Sequence, residues 1–513
     1  MSNNRHFSGD GMNSKDCYQF FKMKYGYERS LLTPSCTAAL EMAALMLDLG
    51  PGDEVIVPSF TFVTSANAFA LRGVNIVFAD SESDHDSNCD SPNVSVSDIL
   101  RKVTKKTKAI VVVHYAGVPV DVSRIIKETN GSIPIVEDCA HAIGSVDPKT
   151  GDFVGKLGCA STFSFHETKN VGIGEGGLLV VNDEKLWLKA QIIREKGTNR
   201  TEFKKGNVPF YSWVGLGSSY LMSDIDAAML WSALQNIDKI QNRRLEIWDA
   251  YDKGLIRSSL FYKPKKMLRA NAHMYFLKFK DEAIREKFVE AMRDTGIVAA
   301  KHYIPLHDTP YVKSQPSYDK NSTCPHSITW SKALVRLPLF YDLTDDKVMK
   351  VINAVNEFSL RNGYQFHEAR EEYWEDILDI RNQNGAYFLS AEPISKENHW
   401  KFMTKYQKTY FVVTELGKCI GFVGRVKDDF RLGTCKKGGG VGEFLVDMWI
   451  QMYGRKIGLK CIRSNTRLIG FARKLGFFPV KESWEAGEDP LRLVYKTEGG
   501  WVDVMKPKLR SRL

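Results

Sequence analysis

The chain has 513 residues, of which 43% are hydrophobic and 26% are charged. This composition excludes a disordered chain, and the length exceeds what one ordinary core holds, so we expect a soluble globular protein of two or three domains. The formal net charge of +10 suits anionic small molecules such as nucleotides, phosphates or coenzyme A. Because the only dense basic run is a tail at residues 506–512, we expect no nucleic-acid partner.

The nine cysteines are scattered and form no CxxC pair. This spacing predicts neither a structural metal site nor a disulfide framework, and it favours a reducing compartment. The first 16 residues lack the apolar core of a signal peptide, and no run of about 20 apolar residues occurs. We therefore expect a cytoplasmic protein with no membrane partner.

A polar and aromatic N-terminal arm over residues 1–30 precedes the first organised segment. Ser35 or Thr37 is an N-cap candidate for a helix rich in alanine, leucine and methionine, which ends at Gly50-Pro51-Gly52. The free N–H groups and the positive dipole end of such a helix suit a phosphate. An ordinary capped core helix explains the same pattern equally well.

Short β-branched runs then alternate with helical segments. The runs are EVIVP, NIVFA, AIVVV and PIVE, at residues 54–58, 75–79, 109–113 and 134–137. This alternation predicts a parallel, doubly wound α/β sheet with helices on both faces. Ligands bind outside the carboxyl ends of the strands in such sheets, and Asp138, His114 and the loop of Phe62 all follow strand ends.

The stretch STFSFHETKNVGIGEGG at residues 161–177 carries one lysine, Lys169, between a strand-like run and a loop of four glycines. A lysine in this position can lie close to a flat cofactor and form a Schiff base, which is how lysine binds pyridoxal phosphate. A solvated surface lysine is the common alternative. The Asp138 carboxylate can pair with a protonated pyridine nitrogen, and a helix cap is the alternative for it. Together, the two residues are what a pyridoxal phosphate site needs.

Nine segments resemble the DegT-type nucleotide-sugar aminotransferases, among them VEDCAHAIGS at 136–145, FSFHETKNVGIGEGG at 163–177 and RLPLFYDL at 336–343. The resemblance covers roughly residues 15–360, and it is greatest to the transaminases of enterobacterial common antigen synthesis, which convert TDP-4-oxo-6-deoxyglucose to a 4-amino-4,6-dideoxy sugar. It implies the pyridoxal phosphate-dependent transferase fold type I, with a large subdomain at about 30–240 and a small one at about 241–362. It also implies a homodimer with its active sites at the subunit interface.

The resemblance assigns cofactor roles to individual residues. Lys169 matches the Schiff-base lysine, and Asp138 matches the partner of the pyridine nitrogen. Phe62 matches the aromatic residue that stacks on the ring. Ser164 matches a contact to the phosphate or the ring hydroxyl, and His141 stands where the family has histidine or glutamine near that hydroxyl.

Further family positions are the turn Cys36-Thr37-Ala38, which matches the phosphate-binding turn, and a motif beside the sugar that contains His302 and His307. One departure is Ser219, where many members have an asparagine that reaches the phosphate of the other subunit. The common-antigen subgroup resembles this sequence at that position, so the change is a subgroup trait.

After residue 362 the α/β pattern ends, so we expect an aminotransferase domain at 1–362 and a second domain at 363–513. Helical stretches at 371–381 and 396–406 precede a predicted hairpin of strands at 409–414 and 418–425. A glycine-rich turn at 436–442 then opens an amphipathic helix. Its N–H groups suit a pyrophosphate, although it is not a P-loop, and a flexible linker is the alternative.

This order of elements resembles the GNAT acetyltransferases over about residues 365–500, which implies a mixed α/β domain. The residues that match the family's coenzyme A positions are Lys437, Gly438, Gly440, Gly442 and Asn465. Residues 381–382 and 394–399 resemble the acetyltransferases that act on nucleotide-linked amino sugars. Ala472 stands where many members have a tyrosine general acid, which leaves Tyr495 or water as that group.

We therefore expect a bifunctional enzyme. Pyridoxal phosphate would transfer an amino group from glutamate to carbon 4 of a TDP-linked 4-keto-6-deoxy sugar, and acetyl-CoA would then acetylate the new amine. The first alternative is an aminotransferase whose GNAT-like domain only binds or stabilises a dimer. The second is a regulatory member of the fold, although such proteins usually lose the lysine or the aspartate. The resemblance favours carbon 4 over carbon 3 and TDP over UDP, and leaves the gluco or galacto configuration open.

Overall fold

The structure is a computed structural model of the chain. It describes residues 7–83, 91–256, 258, 260–265, 270–315, 323–383, 392–415, 418–426, 429–434, 441, 445, 459–462, 477–480, 490–497 and 500–501. The chain forms two compact units, of which the first comprises Met1–Gly254 and Tyr262–Ile352 and the second Leu255–Phe261 and Asn353–Leu513. The domain boundary expected after residue 362 stays a prediction. Within the described ranges, no helix has both the length and the apolar character that crossing a membrane requires.

A seven-stranded sheet in the order β1-β7-β6-β5-β4-β2-β3 organises the first unit. The strands of this sheet are β1 Ser30–Thr33, β2 Glu54–Pro58, β3 Asn75–Ala79, β4 Thr107–Val113, β5 Ile135–Asp138, β6 Ala160–Ser164 and β7 Gly177–Val181. Strands β2 to β6 pair in parallel, whereas β7 is antiparallel to both of its neighbours. The predicted parallel-rich sheet is thus present.

The antiparallel strand β7 follows from the chain between it and β6. A parallel connection needs a crossover of a dozen or more residues, usually a helix. Here the connection is a glycine-rich turn whose backbone closes on itself, because Phe165 N donates to Gly176 O and Ile173 N donates to Phe165 O. The chain therefore reverses and places Lys169 in a loop between two paired strands.

Helices cover both faces of this sheet. The first unit contains the helices α1 Met12–Tyr25, α2 Cys36–Met46, α3 Thr64–Ala70, α4 Val96–Arg101, α5 Val122–Glu128, α6 Trp187–Arg194, α7 Arg200–Lys204, α8 Asp224–Leu234, α9 Ile237–Gly254, α10 Glu282–Asp294, α11 Pro310–Lys313 and α12 Pro325–Ala333. A further helix, α13 Asp345–Asn362, begins in the first unit and ends in the second. Apolar residues of α2 and α3 share one core with the strands, while α1 and α8 share another. Near the carboxyl end of this unit, β9 Tyr275–Phe279 pairs antiparallel with β10 Leu334–Leu337; β8 spans Phe261–Tyr262.

The second unit contains two further sheets. Its elements are β11 Gln365–Glu368, α14 Trp374–Gln383, α15 Lys396–Tyr406, β12 Tyr410–Glu415, β13 Lys418–Val426, β14 Asp429–Thr434, β15 Leu459–Ile462, β16 Phe477–Val480, β17 Pro490–Thr497 and β18 Gly500–Trp501. Strands β11 to β14 form one antiparallel sheet, and β15 to β18 form another. The predicted hairpin is present as β12 and β13, and the two predicted helices as α14 and α15.

The first sheet of the second unit has packing on both of its faces. Apolar residues of α14 and α15 share a core with Val412 and Phe422. Gly421 points to the opposite face, because side chains alternate along a strand. A Cβ at Gly421 would lie 2.9 Å from Val441 Cγ1 and 3.0 Å from Leu445 Cδ1, so the side chains of Val441 and Leu445 lie against this second face.

Candidate active site

Lys169 lies in the loop between β6 and β7, held there by a hydrogen bond from its backbone N–H to His166 O at 2.9 Å. The side chain is partly buried, and its amine forms no ion pair within the described part of the chain. Burial lowers the pKa of Lys169 below its ordinary value, because it disfavours the charged form. The charge of Arg336 lowers this pKa further, whereas Cys36 and Asp138 act in the opposite direction.

Asp138 is the last residue of β5, so its side chain lies at the carboxyl edge of the sheet. Its Oδ2 accepts a hydrogen bond from Ser65 Oγ at 2.7 Å, and its Oδ1 accepts one from Ala140 N at 3.1 Å. Burial raises the pKa of Asp138, and these two bonds and the charge of Lys169 offset part of the rise. Asp138 and Lys169 therefore lie close enough for each charge to act on the other, without forming an ion pair.

The N-terminus of α2 lies beside Asp138 and Lys169. Ser35 caps the helix by accepting a hydrogen bond from Ala38 N at 3.1 Å, as predicted. The N–H groups of Cys36 and Thr37 have no acceptor among the described residues. Gly177 allows β7 to approach this turn, because a Cβ there would lie 2.4 Å from the carbonyl of Ser35. Lys169 lowers the pKa of Cys36 and Cys36 raises that of Lys169, which agrees with a helix start beside the lysine.

Strand β6 contributes two hydroxyl groups. Thr162 lies directly opposite Asp138 in the parallel pairing of β5 and β6. Its Oγ1 faces the Cys36 thiol but is buried without a hydrogen bond of normal geometry to any described residue. Ser164 is also buried, and its Oγ accepts a hydrogen bond from His166 N at 3.3 Å. A buried hydroxyl left without a partner beside a buried carboxylate suits a polar ligand in this pocket.

His141 lies in a stack of aromatic rings. Its ring packs on that of His273 with centroids 4.3 Å apart, and its Nδ1 accepts a hydrogen bond from Ala116 N at 3.4 Å. Burial, with the charge of Lys169, lowers the pKa of His141 well below its usual range. His141 is therefore a neutral ring beside the lysine.

His302 and His307 have different neighbours. His302 Nδ1 lies 2.5 Å from Tyr115 Oη, and its ring is stacked near His141 at 6.3 Å. Burial lowers the pKa of His302 to about 2, and the charge of Lys169 contributes. His307 instead bonds through Nδ1 to Ser59 Oγ at 2.6 Å. The structure thus brings His302, but not His307, to the histidine cluster beside Lys169.

Phe62, the predicted stacking residue, lies at the mouth of this region. Its ring is 54% exposed and lies 6.2 Å from that of Tyr303. An aromatic face that remains in solvent beside a cluster of rings is open to a flat ligand.

Four residues near the pocket received no role from the sequence. They are Tyr115, Asn170, His273 and Arg336. All four residues lie within segments that resemble the aminotransferase family, so the resemblance could have drawn attention to them. Their polar contacts join residues 35 to 187 positions apart in the sequence, so no local pattern reveals them.

A buried cluster behind the pocket has metal-ligand composition, since ligand atoms of His114, Glu137 and Cys139 lie within 4.8 Å of one another. The Glu137 carboxylate already accepts four hydrogen bonds, from the backbone N–H groups of Gly155, Leu157 and Gly158 and from His114 Nε2. Val120 N donates to His114 Nδ1, which leaves the proton on Nε2. His114 and Glu137 therefore belong to a hydrogen-bond network that joins β4, β5 and the loop before β6.

In the second unit, the predicted coenzyme A residues Lys437, Gly438, Gly440, Gly442 and Asn465 lie outside the described residues. The two segments that resemble acetyltransferases of amino sugars do meet. Asn382 Nδ2 donates to Ile394 O at 3.1 Å, and Ile394 N donates to Asn382 Oδ1 at 3.0 Å. His399 is buried and contacts Trp374 O at 2.9 Å.

Comparison with known proteins identifies the class of this fold and site. Residues 2–356 match the DegT/DnrJ/EryC1/StrS aminotransferase family. The spore coat polysaccharide biosynthesis protein SpsC of Bacillus subtilis is 31% identical over 342 residues, which are 65% of this chain and 86% of that protein. The chain therefore belongs to the DegT/DnrJ/EryC1/StrS aminotransferase family.

Solved structures agree with this assignment. The aminotransferase TlmJ of Streptoalloteichus hindustanus is 28% identical, with a TM-score of 0.61 over 69% of this chain and 92% of that one. The putative sugar aminotransferase Spr1654 of Streptococcus pneumoniae, in its PLP form, is 25% identical, with a TM-score of 0.62 over 69% of this chain and 93% of that one. The predicted fold of the aminotransferase part is confirmed.

Proposed function

We propose that the chain is a bifunctional nucleotide-sugar enzyme. Its first unit would use pyridoxal phosphate to transfer an amino group from glutamate to carbon 4 of a TDP-linked 4-keto-6-deoxy sugar, as in the common-antigen subgroup. Its second unit would acetylate the new amine with acetyl-CoA. The observation that carries the first activity is that Asp138 ends β5 while Lys169 follows β6, the neighbouring parallel strand, at the same carboxyl edge of the sheet.

The names of similar proteins support the cofactor and the substrate class. Spr1654 is described as a putative sugar aminotransferase and was solved in a PLP form. SpsC is named for polysaccharide biosynthesis. The first name agrees with a sugar as the acceptor of the amino group, and the second agrees with a product used in polysaccharide synthesis.

The residues present fit pyridoxal phosphate. When bound, this group supplies an electron-withdrawing ring that stabilises negative charge on the substrate carbon. Asp138 would hold the protonated ring nitrogen. In the Cys36-Thr37-Ala38 turn, the free N–H groups of Cys36 and Thr37 would bind the phosphate at the positive end of α2. Phe62 would cover the ring, with Ser164 and His141 beside the phosphate and the ring hydroxyl.

Lys169 would have two tasks. Its amine would bind the cofactor covalently in the resting enzyme and, once displaced by substrate, would move the proton at the reacting carbon. The lowered pKa of Lys169 favours the neutral amine that a base requires. His302 and His307 would contact the sugar, with His302 the nearer of the two to the lysine.

An exposed apolar segment supports the homodimer that the resemblance implies. We define the 203–216 patch by its exposed side chains, which are Phe203, Phe210, Tyr211, Trp213, Val214 and Leu216. Phe210 is 75% exposed and Trp213 is 78% exposed. Isolated apolar side chains are common on surfaces, but a contiguous set of this kind marks an interaction site. We propose a second copy of the chain as its occupant.

The first activity is tested by the variant Lys169→Ala, with Lys185→Ala as an exposed-lysine control. We expect Lys169→Ala to lose the visible absorbance of the bound cofactor and all amino transfer from glutamate to TDP-4-keto-6-deoxyglucose. The control should retain both. Amino transfer that survives in Lys169→Ala would refute the assignment. Mass spectrometry and NMR of the product identify the carbon that receives nitrogen and its configuration.

The acetyl transfer step has separate support. The GNAT resemblance is based on an order of elements, and the structure has the first of them in that order, namely α14, α15 and the β12–β13 hairpin. Val441 and Leu445, which come next in the chain, pack against this hairpin at Gly421. Lys437, Gly438, Gly440, Gly442 and Asn465 would bind acetyl-CoA. Backbone N–H groups of the glycine-rich turn would polarise the thioester carbonyl while the sugar amine attacks it.

Release of free thiol from acetyl-CoA in the presence of the TDP-linked 4-amino sugar tests this second step. We expect release that requires both substrates, persists in Lys169→Ala and falls in Asn465→Ala. If amino transfer proceeds and no thiol is released, the second unit is the non-catalytic binding or dimer-stabilising module of the alternative.

A further inference from the structure

Arg336 is a guanidinium for which the described residues supply no carboxylate. It lies on β10, opposite Phe276 of β9. Its Nη2 donates one hydrogen bond, to Lys301 O at 3.3 Å, and its Nε is buried without an acceptor among the described residues. An arginine side chain stays charged at any physiological pH, and a buried donor without a partner is costly. This arrangement suits an anionic ligand.

The surroundings of Arg336 place it beside the pocket of Lys169. Its backbone exchanges two hydrogen bonds with Ala300, at 2.8 and 3.1 Å. Two residues further along, His302 contacts Tyr115, whose ring also lies 6.2 Å from that of Phe276. The guanidinium therefore adjoins the same ring cluster that packs around His141.

The charges in the pocket agree with this placement. Arg336 and Lys169 both lower the pKa values of His141, His273 and His302, after the larger effect of burial. Arg336 also lowers the pKa of Lys169 itself. The three histidines are thus neutral, whereas Arg336 carries a permanent positive charge near the Lys169 amine.

We propose that Arg336 binds the α-carboxylate of the amino donor. This inference rests on the aminotransferase function proposed above. An α-amino acid carries its carboxylate one carbon away from its amine, so a carboxylate site must lie near the group that exchanges nitrogen. The diphosphate of a sugar nucleotide is attached at carbon 1, across the ring from carbon 4, and would lie further from Lys169. The planar fork of arginine also matches a carboxylate with two parallel hydrogen bonds.

The test measures binding of 2-oxoglutarate to the cofactor-loaded aldehyde form, which cannot react with an oxo acid. Titration calorimetry compares the natural chain with Arg336→Gln and Arg336→Lys. Loss of a charged hydrogen-bond pair should raise the dissociation constant for 2-oxoglutarate roughly 10- to 150-fold in Arg336→Gln. Arg336→Lys, which keeps the charge but not the fork, should show a smaller rise. Pyruvate has only the α-carboxylate, so its affinity for Arg336→Gln should fall by the same factor as that of 2-oxoglutarate.

The control variant is Arg243→Gln, which removes a guanidinium on α9 that is paired with Asp345. It should leave oxo acid binding unchanged. Cofactor content and affinity for the TDP-linked sugar should stay unchanged in all three variants. Unchanged 2-oxoglutarate affinity in Arg336→Gln would overturn the inference. So would a loss confined to the cofactor or to the sugar nucleotide, because Arg336 would then bind a phosphate. A natural chain that transfers no amino group would contradict the proposed function instead.

Discussion

Asn170 and His273 are joined by a buried hydrogen bond, in which His273 Nδ1 donates to Asn170 Oδ1 at 2.8 Å. Asn170 Nδ2 donates in turn to Gln241 Oε1 at 2.9 Å and to Asn271 O at 2.8 Å. Because Asn170 directly follows Lys169, these bonds to two separate segments, at residues 241 and 271–273, hold the backbone that carries the Lys169 amine. We therefore expect Asn170 to position Lys169.

We expect Asn170→Ala to reduce the rate of amino transfer by about 100-fold, since a shift of about 1 Å in a reacting group has an effect of this size. KM values for both substrates should change little. The pH at which the absorbance of the bound cofactor changes should also shift, which a purely structural role of Asn170 would not cause. Asn182→Ala is the matched control, because Asn182 also donates two hydrogen bonds to backbone carbonyls, of Gly155 and Gly158. Equal losses in both variants would contradict the positioning role.

Ser65 sets the acidity of Asp138. Its hydroxyl donates to Asp138 Oδ2 and so lowers a pKa that burial raises. Without this bond, as in Ser65→Ala, the pKa of Asp138 should rise further, and the acid limb of the pH–rate profile should move to higher pH. Ser161→Ala removes another buried serine, which bonds to Gly155 O, and should leave the limb in place. A limb that stays fixed in Ser65→Ala would show that Asp138 does not control it.

Glu137 contributes to stability through its four hydrogen bonds. Burial raises its pKa, but His114 and the N–H groups of Gly158 and Leu157 lower it more, so the folded-state pKa lies below the ordinary value. Ionised Glu137 therefore stabilises the fold above about pH 4.3, and this contribution is lost as the pH falls through the lower folded-state pKa.

We expect Glu137→Gln to lower the free energy of unfolding at pH 7 by about 3 kcal/mol, because an amide cannot accept all four bonds and one buried partner is left unpaired. The loss should shrink as the pH falls below 4. Thermal melts of the first unit at several pH values measure it. Glu128→Gln, at an exposed position on α5, should have no effect. A melting temperature that is unchanged at pH 7 would contradict the role of this network.

The 203–216 patch predicts the oligomeric state. The double variant Phe210→Glu with Trp213→Glu should convert a dimer to a monomer in light scattering, because two charges would have to enter an apolar interface. Val298→Glu introduces a charge at another apolar residue, 79% exposed, and should leave the dimer intact. A double variant that stays dimeric would place the interface elsewhere.

Much of the first unit follows from local patterns in the chain. Continuous β-branched runs predicted β2 to β5, because strands buried on both faces need apolar residues throughout. Ser35 predicted the start of α2, and the glycines around Lys169 predicted a loop. Asp138 and Lys169 were recognised from their positions after strands. In the second unit, α14, α15 and the β12–β13 hairpin also follow their local patterns.

Other features depend on contacts that no local pattern encodes. The N-terminal arm was not predicted as helical, yet α1 forms there, because Asp224 accepts hydrogen bonds from Asn13 and Ser14 and buried residues of α1 and α8 share a core. The pairing of Asn170 with His273 and the lack of a partner for Arg336 likewise exist only in the folded chain. By itself the sequence predicted most strands of the first sheet, and it singled out the two residues that we propose hold the cofactor. The tertiary structure decided which distant side chains surround them, because burial, partner groups and electric fields are properties of assembled segments.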